Sequence, residues 1–158
     1  MRELILLRHA NAQPAASGQA DMDRPLSPLG LAEAEAAGRW LAERGLIPDR
    51  VLCSPARRTR ETLEAVLEVV GYVEQQLEPS IYEASPGTLA ALADQHRDAE
   101  RLLMVGHNPG FERLAALLHS GSSSEYRGMP TAGIAVLSMP TDSSVEPGVA
   151  TLTDFWWP

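Results

Sequence analysis

The sequence predicts an α/β fold, a three-layer sandwich around a mostly parallel central sheet. Three observations carry that expectation. Glu3–Leu7, Val51–Cys53 and Leu102–Gly106 are short, nearly continuous apolar runs, the pattern of strands covered on both faces. Segments with apolar residues at helical spacing follow them. Most of these segments open on a capping side chain and a proline at the first helical position, as in Ser27-Pro28, Ser54-Pro55, Ser85-Pro86 and Asn108-Pro109. Strands alternating with helices in this way pack as a parallel sheet between helical layers.

Taken in order, the first strand stops at Arg8-His9, and Ala12 to Asp23 lacks periodicity and reads as a mobile loop. A helix capped by Ser27 runs through Leu31, Ala34 and Leu41 to about Arg44, with Gly45 just past its end. Ser54-Pro55 opens a second helix, with Leu63, Val66, Leu67 and Val70 on one face, and Gly71 ends it. Val73 to Tyr82 has room for a short strand. A third helix starts at Ser85-Pro86 and passes Leu89, Leu92 and His96; a fourth follows His107-Asn108-Pro109, with Phe111, Leu114, Leu117 and Leu118. Gly133–Met139 reads as a fourth strand. Val149–Phe155 reads as a fifth, antiparallel at an edge, after a polar turn at Pro140–Gly148.

Length and composition fit one domain over residues 1–158: the chain has 158 residues and is 44% hydrophobic, too apolar for a disordered polymer. No run approaches the ~20 apolar residues of a spanning helix, and MRELILLRHA meets charge too early for a signal peptide. The single cysteine, Cys53, excludes an intrachain disulfide framework. The expectation is a soluble, cytoplasmic protein, monomeric because no heptad or apolar stripe is left unused. A net charge of −8 argues against a nucleic-acid or anionic-membrane partner. All 13 basic residues are arginine. Genome composition is the plain explanation, but any cationic site must then be built from guanidinium groups, which grip oxyanions bidentately.

Ligands in open α/β sheets bind beyond the carboxyl ends of the strands. Arg8-His9, Ser54-Pro55-Ala56-Arg57-Arg58 and Gly106-His107-Asn108 occupy those ends. Two histidines and several arginines therefore meet on one rim, where helix N-termini also favour anions. The combination describes a phosphate or sulfate pocket. No P-loop is present, and four residues rather than five separate Cys53 from Arg58, so the Cys-x5-Arg pattern of cysteine phosphatases is missing. Neither histidine lies in a His-x-His or His-Glu-x-x-His arrangement, so no metal site is expected. A histidine nucleophile fits what remains, since neutral imidazole can attack phosphorus and split one displacement into two. Arg58 and Arg57 both stand at the second strand's end, and Arg60 reads as solvated helix surface. Arg24 either reaches the phosphate from the loop or pairs with Asp21 or Asp23. Asn11 is a candidate for polar pocket lining, Asn108 for a helix cap, and Thr131 for a phosphate donor or a plain loop residue.

Leu6-Leu7-Arg8-His9-Ala10, Ser54-Pro55-Ala56-Arg57-Arg58-Thr59-Arg60-Glu61-Thr62 and Val105-Gly106-His107-Asn108-Pro109-Gly110 resemble the histidine phosphatase superfamily, with its phosphoglycerate mutase-like fold. Asp23-Arg24-Pro25-Leu26-Ser27 and Pro130-Thr131-Ala132-Gly133 look like its small SixA-like phosphohistidine phosphatase branch. The resemblance spans nearly the whole chain. It implies His9 as the phosphorylated nucleophile, with Arg8, Arg58 and His107 completing the phosphate pocket and no cofactor needed. It favours Arg58 over Arg57, because the family arginine lies four residues after the serine. Ala10 stands where the family often has glycine. Members acting on alkyl phosphates use a mid-chain carboxylate as proton donor, and Glu83 is the candidate by position.

A weak proton donor has a chemical consequence. An alkoxide needs protonation to leave, whereas imidazole, with an ordinary pKa of about 6.5, departs more readily. The chain is also short for a capping insertion, so an open pocket that admits a histidine on another protein is expected. The leading partner is thus a phosphorylated protein of the histidine phosphotransfer type. A small phosphorylated metabolite, such as a sugar phosphate or nucleotide, is the alternative substrate. A phosphoprotein-binding module with little turnover is a third reading.

Overall fold

The computed structural model describes residues 1–158. One six-stranded sheet runs in the order β3-β2-β4-β1-β5-β6. Its strands are β1 (Arg2–Arg8), β2 (Arg50–Cys53), β3 (Gln75–Leu77), β4 (Arg101–Gly106), β5 (Ile134–Met139) and β6 (Thr151–Trp156). The helices are α1 (Pro28–Glu43), α2 (Arg57–Val70), α3 (Pro86–Gln95) and α4 (Gly110–Ser120). β1, β2, β3 and β4 are parallel to one another, whereas β5 is antiparallel to β1 and β6 to β5. The sheet is therefore mixed, with its parallel half carrying the three motif-bearing strand ends.

Alternation along β1 explains the layers. Leu4 and Leu6 face a core completed by Leu89 and Leu92 of α3 and Phe111 and Leu114 of α4. Ile5 and Leu7 point the other way, to Ala37 and Leu41 of α1 and Leu63 and Val66 of α2. Burying each such aliphatic side chain is worth about 1.5–3 kcal/mol, so β1 is clamped from both faces and its end, Arg8-His9, is fixed in space. β6 closes the far edge, where Trp156 stacks on Trp40 at 5.5 Å between ring centroids.

Two of the expected caps form. Ser27 Oγ accepts from the Gly30 N–H at 3.0 Å and Ser85 Oγ from the Thr88 N–H at 3.1 Å. Asn108 Oδ1 accepts from the Glu112 N–H at 3.3 Å in the first turn of α4. The Ser54 expectation is corrected: α2 begins at Arg57, and its N-cap, Ala56, makes no side-chain bond. Ser54 instead continues the sheet, donating its backbone N–H to Val105, with its hydroxyl turned toward His107. The Ala12–Asp23 segment is also more ordered than its composition suggests. Ala12 bridges Leu26, Gln13 and Arg24 tie the two arms together, and Asp21–Asp23 forms a 3-10 turn.

Close approaches pin this segment to the helices. A Cβ on Gly30 would lie 2.0 Å from the Asn11 carbonyl oxygen, which accepts from the Ser27 N–H. A Cβ on Gly106 would meet the Phe111 ring at 2.5 Å. Gly30→Ala should therefore push the chain after His9 off α1, with a loss of about 1–3 kcal/mol by analogy with other overpacked sites. Chemical denaturation would register this as a lower midpoint, and an unchanged midpoint would contradict the packing described.

Candidate active site

The ends of β1, β2 and β4 bring His9, Arg58 and His107 together. The His9 and His107 rings lie 5.4 Å apart between centroids, and Arg58 Nη2 is 3.4 Å from His107 Nδ1. A cleft of about 280 Å³ opens beside Arg58 and His107, lined also by Asp21, Tyr82, Glu83 and Asn108, with the His9 ring behind that of His107 rather than in the lining. Arg58, at the start of α2, is buried, while Arg57 is exposed and pairs with Glu61 along the helix. The structure thus places Arg58 rather than Arg57 at the site. Arg60 is exposed and donates to the Pro55 carbonyl.

Hydrogen bonds set the tautomer of each imidazole. His9 Nδ1 lies 2.8 Å from the Ala10 carbonyl oxygen. A carbonyl only accepts, so Nδ1 carries the proton and Nε2 keeps its lone pair. His107 Nδ1 faces the Arg58 guanidinium, which only donates, so its proton lies on Nε2, 2.7 Å from Ser54 Oγ. Burial pushes the His9 pKa down to about 4, and the cations Arg58, Arg8 and Arg24 add to that effect against the Ala10 bond. Burial, then Arg58 and His9, pushes His107 down to about 3. Both rings are neutral at pH 7.

The arginines are held by the backbone. Arg8 Nη1 donates to the Met129 carbonyl at 2.8 Å, and Arg58 Nη1 to that of Asp21 at 2.9 Å. The Nε atoms of both are buried without a hydrogen-bond partner. Leaving buried donors unmatched costs about 1–3 kcal/mol each, so two cationic side chains stand here with unused donor capacity.

Other sequence candidates fall around this centre. Glu83 borders the cleft, exposed, with a left-handed φ of 57°. Arg24 takes the pairing alternative, donating to Asp21 at 3.1 Å and to the Gln13 carbonyl at 2.8 Å. Thr131 is corrected as a phosphate donor, because its hydroxyl is engaged by the Glu33 carboxylate at 3.1 Å. Asn11 likewise turns from the cleft: its N–H donates to Glu33 and its Oδ1 accepts from Ser27 Oγ at 2.6 Å. These two residues brace the loop after His9. Cys53 is buried, with its thiol pushed up to about 12 by burial, which removes it as a nucleophile. No three His, Cys, Asp or Glu side chains gather as a metal ion would require.

Sequence reasoning missed two contributors. Ser54, buried beneath His107, was hidden because Ser-Pro also reads as a helix cap. Tyr82 donates to Asp21 and meets the His107 ring edge-on at 5.5 Å, a contact that only the fold creates, across 61 residues.

The family profile described as histidine phosphatase superfamily (branch 1) matches residues 4–114. An uncharacterized protein of Mycobacterium tuberculosis is 39% identical over 164 aligned positions, covering 96% of this chain and 99% of that one. The structure of a candidate phosphohistidine phosphatase SixA from Agrobacterium tumefaciens superposes with a TM-score of 0.86 at 31% identity, covering 99% of this chain and 98% of that one. Its counterpart from Nakamurella multipartitia gives a TM-score of 0.85 at 31% identity, covering 99% and 96%.

The neutral imidazoles couple stability to pH. Each histidine has a folded pKa, about 4 or about 3, below the ordinary 6.5, so the unfolded chain binds the extra protons. Their stabilising contribution is complete above pH 6.5 and is lost as pH falls from there toward 3–4, at up to about 1.4 kcal/mol per pH unit for each proton. Denaturation midpoints measured from pH 7 to pH 4 should fall, and His107→Asn should flatten that slope. An equal slope in the variant would show that His107 is not buried neutral.

Proposed function

The chain belongs to the histidine phosphatase superfamily, and we propose that it is a phosphohistidine phosphatase, clearing phosphate from a histidine on a phosphotransfer or signalling protein. The observation that carries this reading is the His9 Nδ1 bond to the Ala10 carbonyl, which leaves Nε2 as an unprotonated nucleophile beside two arginines. In the first displacement the Nε2 lone pair forms a bond to phosphorus while the substrate's N–P bond breaks and its imidazole takes up a proton from solvent or through Glu83. In the second, water attacks the phosphoryl group on His9, inorganic phosphate leaves, and neutral His9 is restored. Arg8 and Arg58 stabilise the charge spread over the phosphoryl oxygens. His107, neutral and anchored through Nε2 on Ser54, walls the phosphate pocket beside Arg58.

The N–P preference is supported by the carboxylates of the cleft. Asp21 is held well below the usual carboxylate range by its bond from Tyr82 and then by Arg24 and Arg58, so it has no proton to give. Glu83 is the remaining candidate donor, exposed and unbonded at the cleft margin. An imidazole leaving group tolerates such a donor better than an alkoxide does. The names carried by the SixA relatives agree with this substrate class. The open cleft suits a side chain presented by another protein. We place this activity in the cytoplasm, in a monomer of one domain. The presence of Glu83 beside the cleft keeps a small phosphomonoester as the second reading.

Incubation with a phosphorylated histidine phosphotransfer domain should release phosphate, and acid-sensitive label should be trapped on the wild-type chain. His9→Ala should lower turnover by at least ~1000-fold, as expected when a nucleophile is removed; full activity in that variant defeats the mechanism. Glu83→Gln should reduce hydrolysis of an alkyl phosphate by about 100-fold, the scale of general acid catalysis, and that of phosphohistidine by far less. A kcat/KM orders of magnitude higher for an alkyl phosphate would select the second reading.

A further inference from the structure

Asp21 occupies an unusual place in the cleft. Its Oδ2 accepts from Arg58 Nη2 at 3.0 Å and from the Tyr82 hydroxyl, its Oδ1 accepts from Arg24 Nη1 at 3.1 Å, and its backbone carbonyl accepts from Arg58 Nη1 at 2.9 Å. Both outer nitrogens of Arg58 therefore donate to this one residue, while Nη2 also faces His107 Nδ1. The side chain of Arg58 is 8% exposed, that of Asp21 48%. The carboxylate thus reaches in from a solvent-facing turn to a buried cation.

Nothing apolar fixes it there. The Asp21–Asp23 turn has no buried residue. The residue is held by its ionic partners and by the one hydroxyl of Tyr82. It also stays charged throughout the neutral range, because Tyr82, Arg24 and Arg58 all donate to it. The Arg58 face of the cleft thus carries an anion supplied by the protein itself.

We propose that Asp21 is a specificity-determining residue that competes with inorganic phosphate for Arg58, weakening retention of the reaction product. The proposal rests on the phosphatase reading above. A phosphate dianion that takes Arg58 must either displace the carboxylate or accept a like charge beside it, and either is unfavourable. Substrate offsets this through the protein that carries the phosphohistidine, whereas free phosphate has no such contacts. The carboxylate therefore favours release after the second displacement. Tyr82 acts through Asp21 as a positioning residue, keeping Oδ2 on the guanidinium.

Calorimetric titration of inorganic phosphate into the full chain tests this without turnover. Asp21→Asn keeps the side chain's shape and removes its charge. It should bind phosphate at least ~tenfold more tightly than wild type, a change of about 1.4 kcal/mol, and show correspondingly stronger product inhibition. Tyr82→Phe should tighten binding by less, since the charge remains. A purely structural role for Asp21 predicts the opposite sign, because loss of the Arg58 anchor would weaken the pocket. Arg58→Ala separates the two layers of the argument. Wild-type binding that depends on Arg58, with no tightening in Asp21→Asn, overturns the Asp21 proposal alone. Phosphate binding that is absent, or indifferent to Arg58, overturns the pocket and the proposal together.

Discussion

The site depends on cations placed where water is largely excluded. Arg8 and Arg58 approach two imidazoles at the end of the parallel strands, and burial with their charge keeps both rings neutral at pH 7. A neutral ring is the reactive form of a nucleophile. The same field that prevents protonation of His9 would attract a phosphoryl dianion to it. One electrostatic arrangement thus serves activation and binding, and it needs a fold stable enough to hold like charges together.

The sheet supplies that stability. β1, β2 and β4 are neighbours, and their registered pairing sets Arg8 opposite Gly106 and Cys53 opposite Val105. The residues just beyond these strands therefore emerge side by side. Gly106 lets Phe111 close on the strand end immediately before His107, and Gly30 lets α1 touch the backbone two residues past His9. Backbone carbonyls of Ala10, Asp21 and Met129 then orient His9, Arg58 and Arg8. Much of the polar geometry is thus imposed from the main chain.

This division explains what could be read from the sequence. The strands and helices were legible because apolar period and capping chemistry are local properties, and His9 and His107 were legible because strand ends converge, whereas the choice of Arg58 over Arg57 came from the family resemblance. The antiparallel course of β5 was not, since Ile134–Met139 is buried on both faces like a parallel strand. Ser54 carried two meanings, cap and ring anchor, and only the sheet register decides between them. Thr131 and Asn11 looked like pocket residues because their neighbours are, yet Glu33, on α1, takes hydrogen bonds from both. Tyr82 and Asp21 meet across a distance in sequence that no periodicity encodes.

The chemistry of the cleft follows from where its carboxylates stand relative to these cations. Asp21 is stabilised as an anion by the Tyr82 hydroxyl and then by Arg24 and Arg58, and is thereby disqualified as a proton donor. Glu83 stands apart from these contacts, exposed at the cleft margin and without a hydrogen bond. A well-held general acid and a strongly cationic phosphate pocket therefore oppose one another in so small a cleft. A substrate whose leaving group departs with little help escapes that conflict. An imidazole leaving group departs with less help than an alkoxide does.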